Sequence, residues 1–304
     1  MIQKYKTNSL TWIDLSSPTI EEIRKVSSEY NINPLVAHEL SVPTLRAKVD
    51  LYDNLIYLIL HFPSNRKDSD GLSDQEVDFV IGKDFIVTAR YGEVDALLAL
   101  SKSFEVEAIL EKGNLGKHAG FIFFAMVNRI YGNLLYRIEG LKEEAALIEA
   151  QIFKGKEREM VMKISEVSRE ILDFKRATSL HDEVFSSFEV AGVKFFGDDF
   201  KFHLRALTGN YYRLENSIKN TMDYLSELRE TNNSLLTAKQ NETMKVLTIM
   251  AFVTFPLSLI VSIFGMNTDY VPIIGQPNDF WIIIGIMAAL TACFFGFFKY
   301  KKWL

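Results

Sequence analysis

Two uncharged apolar runs of 19 residues each, 246–264 (VLTIMAFVTFPLSLIVSIF) and 280–298 (FWIIIGIMAALTACFFGFF), constrain the fold of this chain more than any other feature. At about 1.5 Å per residue each run matches the roughly 30 Å hydrocarbon core of a bilayer. A soluble fold would have to bury two consecutive helices on every face, so the chain reads as a membrane protein with two spans close to its C-terminal end. The flanks orient them. Lys239 and Lys245 precede the first span, Lys299, Lys301 and Lys302 follow the second, and 268–279 holds no Lys or Arg. By the positive-inside rule both termini belong in the cytoplasm. Trp281, Tyr270, Tyr300 and Trp303 stand where interfacial aromatic belts are expected against membrane lipid. The opening MIQKYKTNSLTWIDL lacks the apolar core of a signal peptide. Residues 1–244 are therefore expected to stay cytoplasmic, with the protein multi-pass in the inner (plasma) membrane.

The first span carries more pattern than an anchor needs. Ser234, Thr237, Asn241, Met244, Thr248, Ala251, Phe255, Ser258 and Ser262 recur at alternating steps of three and four, which places them along one helix face. A polar stripe interrupted by apolar rings suits a water-filled path with hydrophobic constrictions. The same hydroxyls could instead serve close helix packing or bond their own backbone. Two helices enclose no water, so a channel would require several copies.

Residues 1–244 carry 30 Lys+Arg against 37 Asp+Glu, a balance of about −7. That argues against nucleic acid as a partner and mildly favours cations. The only cysteine, Cys293, lies in the second apolar run, so no disulfide forms within one chain. The histidines lack zinc-ligand spacing, and His181 falls on an apolar face as a core residue. No glycine-rich phosphate loop, nucleophile elbow or His/Cys cluster is present; the reading is of a protein that is not an enzyme and has no resident cofactor.

In 1–115 the pattern is that of an α/β domain: a strand at 11–15, helices at 18–30 and 33–40, strands at 55–62, 76–81 and 85–89, and a helix at 94–110. In 116–198 two apolar series at steps of three and four, Phe124 to Ile152 and Met160 to Phe188, predict a long antiparallel helical hairpin. From Asp199 a helical pattern runs to Phe264 past Gly209 and Pro256, giving a stalk helix over 199–267 that continues into the membrane. An external loop (268–279), the second span and a basic tail (299–304) complete the chain.

The first span ends in Phe264-Gly265-Met266-Asn267, and the chain ends in Lys-Tyr-Lys-Lys-Trp-Leu. Together with the two-span C-terminus and the stretch NETMKVLTI at 241–249, these resemble the CorA family of magnesium transport proteins. Phe264 replaces the Tyr that usually precedes the family's Gly-Met-Asn signature. The resemblance implies a homopentameric funnel, with five first spans around a pore, the second spans outside, and divalent ions, mainly magnesium with cobalt or nickel as lesser substrates, moving hydrated into the cytoplasm. By position, Gly265, Met266 and Asn267 would form the selectivity filter. Asn241, Met244, Leu247, Thr248, Phe255, Ser258 and Ser262 would line the pore, and these lie on or beside the stripe. Magnesium keeps its water shell, which neutral amides can bond without stripping. In the family magnesium is also a gating ligand at acids early in the stalk. Here 202–207 (FHLRAL) carries none, so Asp199 and Asp70, with neighbours Asp198, Asp68, Asp74 and Asp78, are the candidates, as against ordinary solvated acids. Asp269 and Asp279 could gather cations outside. The alternatives are a zinc transporter of the same fold, disfavoured by Met266, and a membrane-anchored structural or sensor protein without transport.

Overall fold

The computed structural model describes residues 1–6, 10–44, 46–64, 74–91, 117–267, 273–275, 277–301 and 303. It divides into two compact units, Met1–Arg229 and Glu230–Leu304.

The first unit contains a six-stranded sheet of β1 (Ile2–Lys6), β2 (Thr11–Ser16), β3 (Lys48–Leu51), β4 (Ile56–Pro63), β5 (Asp74–Ile81) and β6 (Phe85–Arg90). The order is β1-β2-β6-β5-β4-β3. Only the β2–β6 pairing is parallel, with Ile13 opposite Val87; the others are antiparallel. The four inner strands are buried nearly throughout, because helices cover both sheet faces. On one face Ile13, Leu15, Ile59 and Val87 pack with α1 (Ile20–Glu29) and α2 (Pro34–Glu39). Thr19 and Glu22 close a capping box at the start of α1, and Asn33 caps α2 ahead of Pro34. β1 and β3 were not evident in the sequence. Both are short edge strands whose charged residues, Lys4, Lys6, Lys48 and Asp50, interrupt any apolar run.

The other face receives α3 (Gly120–Phe153), α4 (Glu157–Thr178) and α5 (His181–Phe196). Phe79 of β5 meets Phe123 edge to face, and Phe123 meets Phe188. Arg137 donates to the carbonyls of Pro63 and Ser64 at 3.2 Å each. The first predicted series matches the buried side of α3, from Val127 to Ile152. The second series, expected as one hairpin arm, is two helices. The chain breaks at Ser179 and Leu180, where the Ser179 hydroxyl bonds the Arg176 carbonyl. His181 opens α5, fully buried: the Tyr131 hydroxyl bonds its Nδ1 at 2.6 Å, and its Nε2 lies 2.8 Å from the His61 carbonyl. Burial pushes its pKa down to about 3, so the ring is a neutral core group, as expected from sequence. The expected helix at 94–110 lies outside the described residues.

After Gly197, at φ +98°, and a 3-10 turn at Asp198–Phe200, α6 runs from Lys201 to Phe264 without interruption. Its 64 residues correspond to about 96 Å. Leu204, Leu207, Tyr211, Leu214, Ile218, Thr221, Leu225 and Leu228 are its buried seam in the first unit, a seven-residue repeat of the coiled-coil kind. Tyr224 bonds Glu149 of α3 at 2.7 Å. Gly209 and Pro256 both lie inside the helix without ending it.

Candidate functional site

The second unit is built from the end of α6 and from α7 (Asp279–Tyr300). Both helices are long and apolar enough to cross a membrane. Ile249 and Val253 of α6 are buried against Phe298 of α7, with Leu257 and Phe294 packed beside them. The end of the second apolar helix thus lies beside the start of the first, and the two leave the apolar zone on the same side.

The contact also divides the surface of α6. At 100° per residue, Ile249, Val253 and Leu257 centre about 180° from the line through Met244, Thr248, Ala251, Phe255, Ser258 and Ser262. The helix seats its aliphatic edge on α7 and turns the polar stripe away from it. Asn241, Met244, Leu247, Phe255, Ser258 and Ser262 are all exposed, Phe255 to 73%, and Thr248 is half-buried. The Thr248 hydroxyl donates to the Met244 carbonyl at 2.8 Å, and Thr237 and Thr254 bond the carbonyls four residues back in the same way. The backbone-bonding reading of these hydroxyls therefore holds for the threonines. It leaves their oxygen lone pairs as acceptors, the polarity that a hydrated cation presents its water hydrogens to.

Beyond Phe264 the helix is closed by its own backbone. Gly265 N–H bonds the Val261 carbonyl at 2.9 Å and Met266 N–H bonds Ile263 at 3.3 Å. A Cβ on Gly265 would sit 3.0 Å from the Val261 oxygen, so a side chain here would crowd the turn. Asn267 follows outside the helix, exposed and not in the left-handed region. Its side chain does not cap the helix in the way a left-handed Asn would. At the far end, Asn278 at φ 74° precedes α7, and Asp279 accepts Gly275 N–H at 3.1 Å and Phe280 N–H at 2.7 Å. Asp279 thus braces the start of α7. Asp269 lies outside the described residues.

The candidate regulatory acids are not brought together within one chain. Asp70 and Asp68 lie outside the described residues. Asp199 and Asp198 are exposed on the 3-10 turn. Asp74 pairs with Arg176 at 3.3 Å, and Asp78 is not a surface acid at all but is wholly buried in β5. Among the described residues no group of three or more His, Cys, Asp or Glu is placed to hold a metal ion.

The same-side exit of the two helices makes one topological experiment direct. A cysteine at Pro277, an exposed position, in a Cys293→Ala background should react with an impermeant thiol reagent applied outside intact cells. Labelling only after lysis would reverse the orientation read from the lysines.

The model for the CorA-like Mg2+ transporter protein family matches residues 7–301. The chain is 22% identical over 304 residues to the cobalt/magnesium transport protein CorA of Thermotoga maritima, covering 97% of this chain and 83% of that one. The complete structure of the CorA magnesium transporter from Methanocaldococcus jannaschii superposes with a TM-score of 0.84 at 19% identity, covering 97% of this chain and 92% of that one. The full-length CmaX protein gives a TM-score of 0.75 at 14% identity, over 97% and 89%. The expected fold class, an α/β domain with long helices and two C-terminal apolar helices, is the one observed. The chain belongs to the CorA-like Mg2+ transporter family and is a membrane transporter of magnesium and related divalent metal ions, not an enzyme.

Proposed function

We propose that five copies of the chain arrange the stripe of α6 around a common axis and conduct hydrated magnesium into the cytoplasm. The observation that carries this reading is the division of α6: an aliphatic edge occupied by α7 and an opposite polar edge that its own chain leaves uncovered. Polar groups turned toward lipid gain nothing, whereas around a shared axis they can meet water. Asn241, Thr248, Ser258 and Ser262 would present oxygens to the water shell, and Met244, Leu247 and Phe255 would form apolar rings that close the path by excluding water. Asn267, with Gly265 and Met266, would ring the outer mouth. Both termini and the α/β domain would be cytoplasmic. Magnesium would also gate from inside. The exposed Asp199 would contribute one ligand and a neighbouring copy the rest, because a single chain assembles no complete set among the described residues.

Purified protein in proteoliposomes provides the test. Magnesium uptake by a complex whose mass equals five chains, falling when internal magnesium rises, is the expected result. A complex of another size, or zinc taken up with magnesium excluded, would overturn the assembly or the cargo respectively. Leu247→Asn in the same assay should raise leak at high internal magnesium several-fold, since it wets one apolar ring. Unchanged leak in an intact complex would put the constriction elsewhere.

A further inference from the structure

The α/β domain buries two carboxyl groups that ion passage does not use. Glu76 and Asp78 stand two residues apart on β5, so both point to the sheet face covered by α1 and α2. Glu76 is 6% exposed and Asp78 is not exposed at all. Glu76 Oε2 accepts Thr44 N–H at 2.5 Å and lies 3.5 Å from His61 Nε2, which is itself 2.8 Å from the Thr44 carbonyl. Asp78 Oδ2 lies 3.2 Å from the Tyr91 hydroxyl, which is also 2.7 Å from the Leu40 carbonyl. One hydroxyl carries one proton, and the shorter bond takes it to Leu40.

What remains around Asp78 is oxygen. Asp78 Oδ1, Glu76 Oε1 and the buried Tyr57 hydroxyl make no hydrogen bond of good geometry among the described residues, although Glu76 and the Tyr57 hydroxyl both lie close enough to the Asp78 carboxyl to bear on its protonation. Nearby cations are already engaged. Lys48 is 2.7 Å from both Glu39 and Asp50, at the α2 and β3 side of the cluster, and the His61 ring faces Glu76. Two carboxylates buried side by side on one sheet face, with only tyrosine hydroxyls to face Asp78, are costly to ionise together, and a proton shared between them removes the clash of charge.

We propose that Glu76 and Asp78 hold one proton between them at neutral pH, forming a proton site that fastens residues 40–44 to the sheet. Burial, and after it the neighbouring Glu76 charge, raise the pKa of Asp78 well above the usual carboxylate range against the opposing pull of the Tyr91 and Tyr57 hydroxyls. At His61 burial opposes the charged ring, but Glu76 and the Thr44 carbonyl outweigh it and raise its pKa. Both shifts have one sign. A folded pKa above the unfolded one gives stability that is present at low pH and lost as pH rises through the folded value. For one proton the change is about tenfold in the local opening equilibrium per pH unit, across the window from the ordinary carboxylate pKa to the folded pKa of Asp78.

The test uses the full-length protein in lipid nanodiscs. Infrared spectra at neutral pH should contain a protonated-carboxyl stretch that disappears in Asp78→Asn and, in Glu76→Gln, persists at a shifted frequency. Hydrogen exchange in peptides covering 40–44, compared at equal pH, should accelerate more with rising pH in the wild type than in Asp78→Asn, whose amide stays neutral throughout. Absence of the band in the wild type, or a band unmoved by both substitutions, would overturn the shared proton. If Asp78→Asn fails to fold, the wild-type band and its response to Glu76→Gln still decide the matter. Equal pH dependence of exchange in wild type and Asp78→Asn would overturn the fastening role.

Discussion

Asn267→Ala is expected to abolish magnesium uptake while leaving the protein folded and assembled. The side chain is exposed, and the end of α6 is closed by the Gly265 and Met266 amides, not by the Asn267 side chain. Its removal should therefore change stability by less than about 0.5 kcal/mol, the usual effect of a surface substitution. Uptake is another matter. If five amide oxygens accept hydrogen bonds from the water shell, alanine leaves a wider, apolar mouth with no acceptor for an ion that releases its water reluctantly. Asn267→Asp separates two ways of losing function. It preserves size and acceptors but gathers five carboxylates, which would hold cations tightly, slow their exit and loosen selectivity toward other divalent ions. Ion flux and complex mass in the same preparation read both outcomes. Near-normal uptake by an intact Asn267→Ala complex would remove the filter role and leave Gly265-Met266-Asn267 without a proposed function.

The parts of this site that were legible in the sequence share a physical origin. A stripe at steps of three and four stays on one face because a helix has one period, and the long unbroken run from Asp199 to Phe264 leaves α6 little alternative. The facing relation was not legible. The second span is apolar on every side, so nothing in its letters says that Phe294 and Phe298 meet Ile249, Val253 and Leu257. Nor could the sequence place Asp78. Acids are ordinarily exposed, and only the surrounding run EVDFVI, buried on both faces once α1 and α3 cover the sheet, makes it a core residue. The break before His181 was missed because Thr178, Ser179 and Leu180 include no Gly or Pro, and the apolar spacing continues through it. His181 itself was read correctly, since its apolar neighbours at helical spacing leave it no solvent. The pairing of Asp14 with Arg90, 76 positions apart, has no local signature at all, because it depends on the parallel register of β2 and β6.

That pairing carries the largest expected effect on stability. Arg90 Nη2 lies 3.0 Å and Nε 3.1 Å from Asp14 Oδ2, and Thr88 donates to Asp14 Oδ1 at 2.7 Å while accepting from Trp12 Nε1 at 3.0 Å. All four side chains are buried at the centre of the sheet. Arg90→Met would fit the space of the arginine stem but leave the Asp14 carboxylate in the core with one hydroxyl donor. Breaking a buried pair in this way costs roughly 3–5 kcal/mol, and for a unit of this size that lowers the thermal midpoint by about 10 °C. Replacing both partners, Asp14→Leu with Arg90→Met, removes the stranded charge and should recover most of the loss. Thermal unfolding of the full-length protein, followed as loss of the monodisperse complex, measures both variants; a shift under about 2 °C for Arg90→Met would show that the network is not a structural clasp. The two sets of variants then divide the molecule's properties between its units. Asn267→Ala should lose uptake at an unchanged midpoint, whereas Arg90→Met should lose the midpoint while complexes that survive below it still take up magnesium.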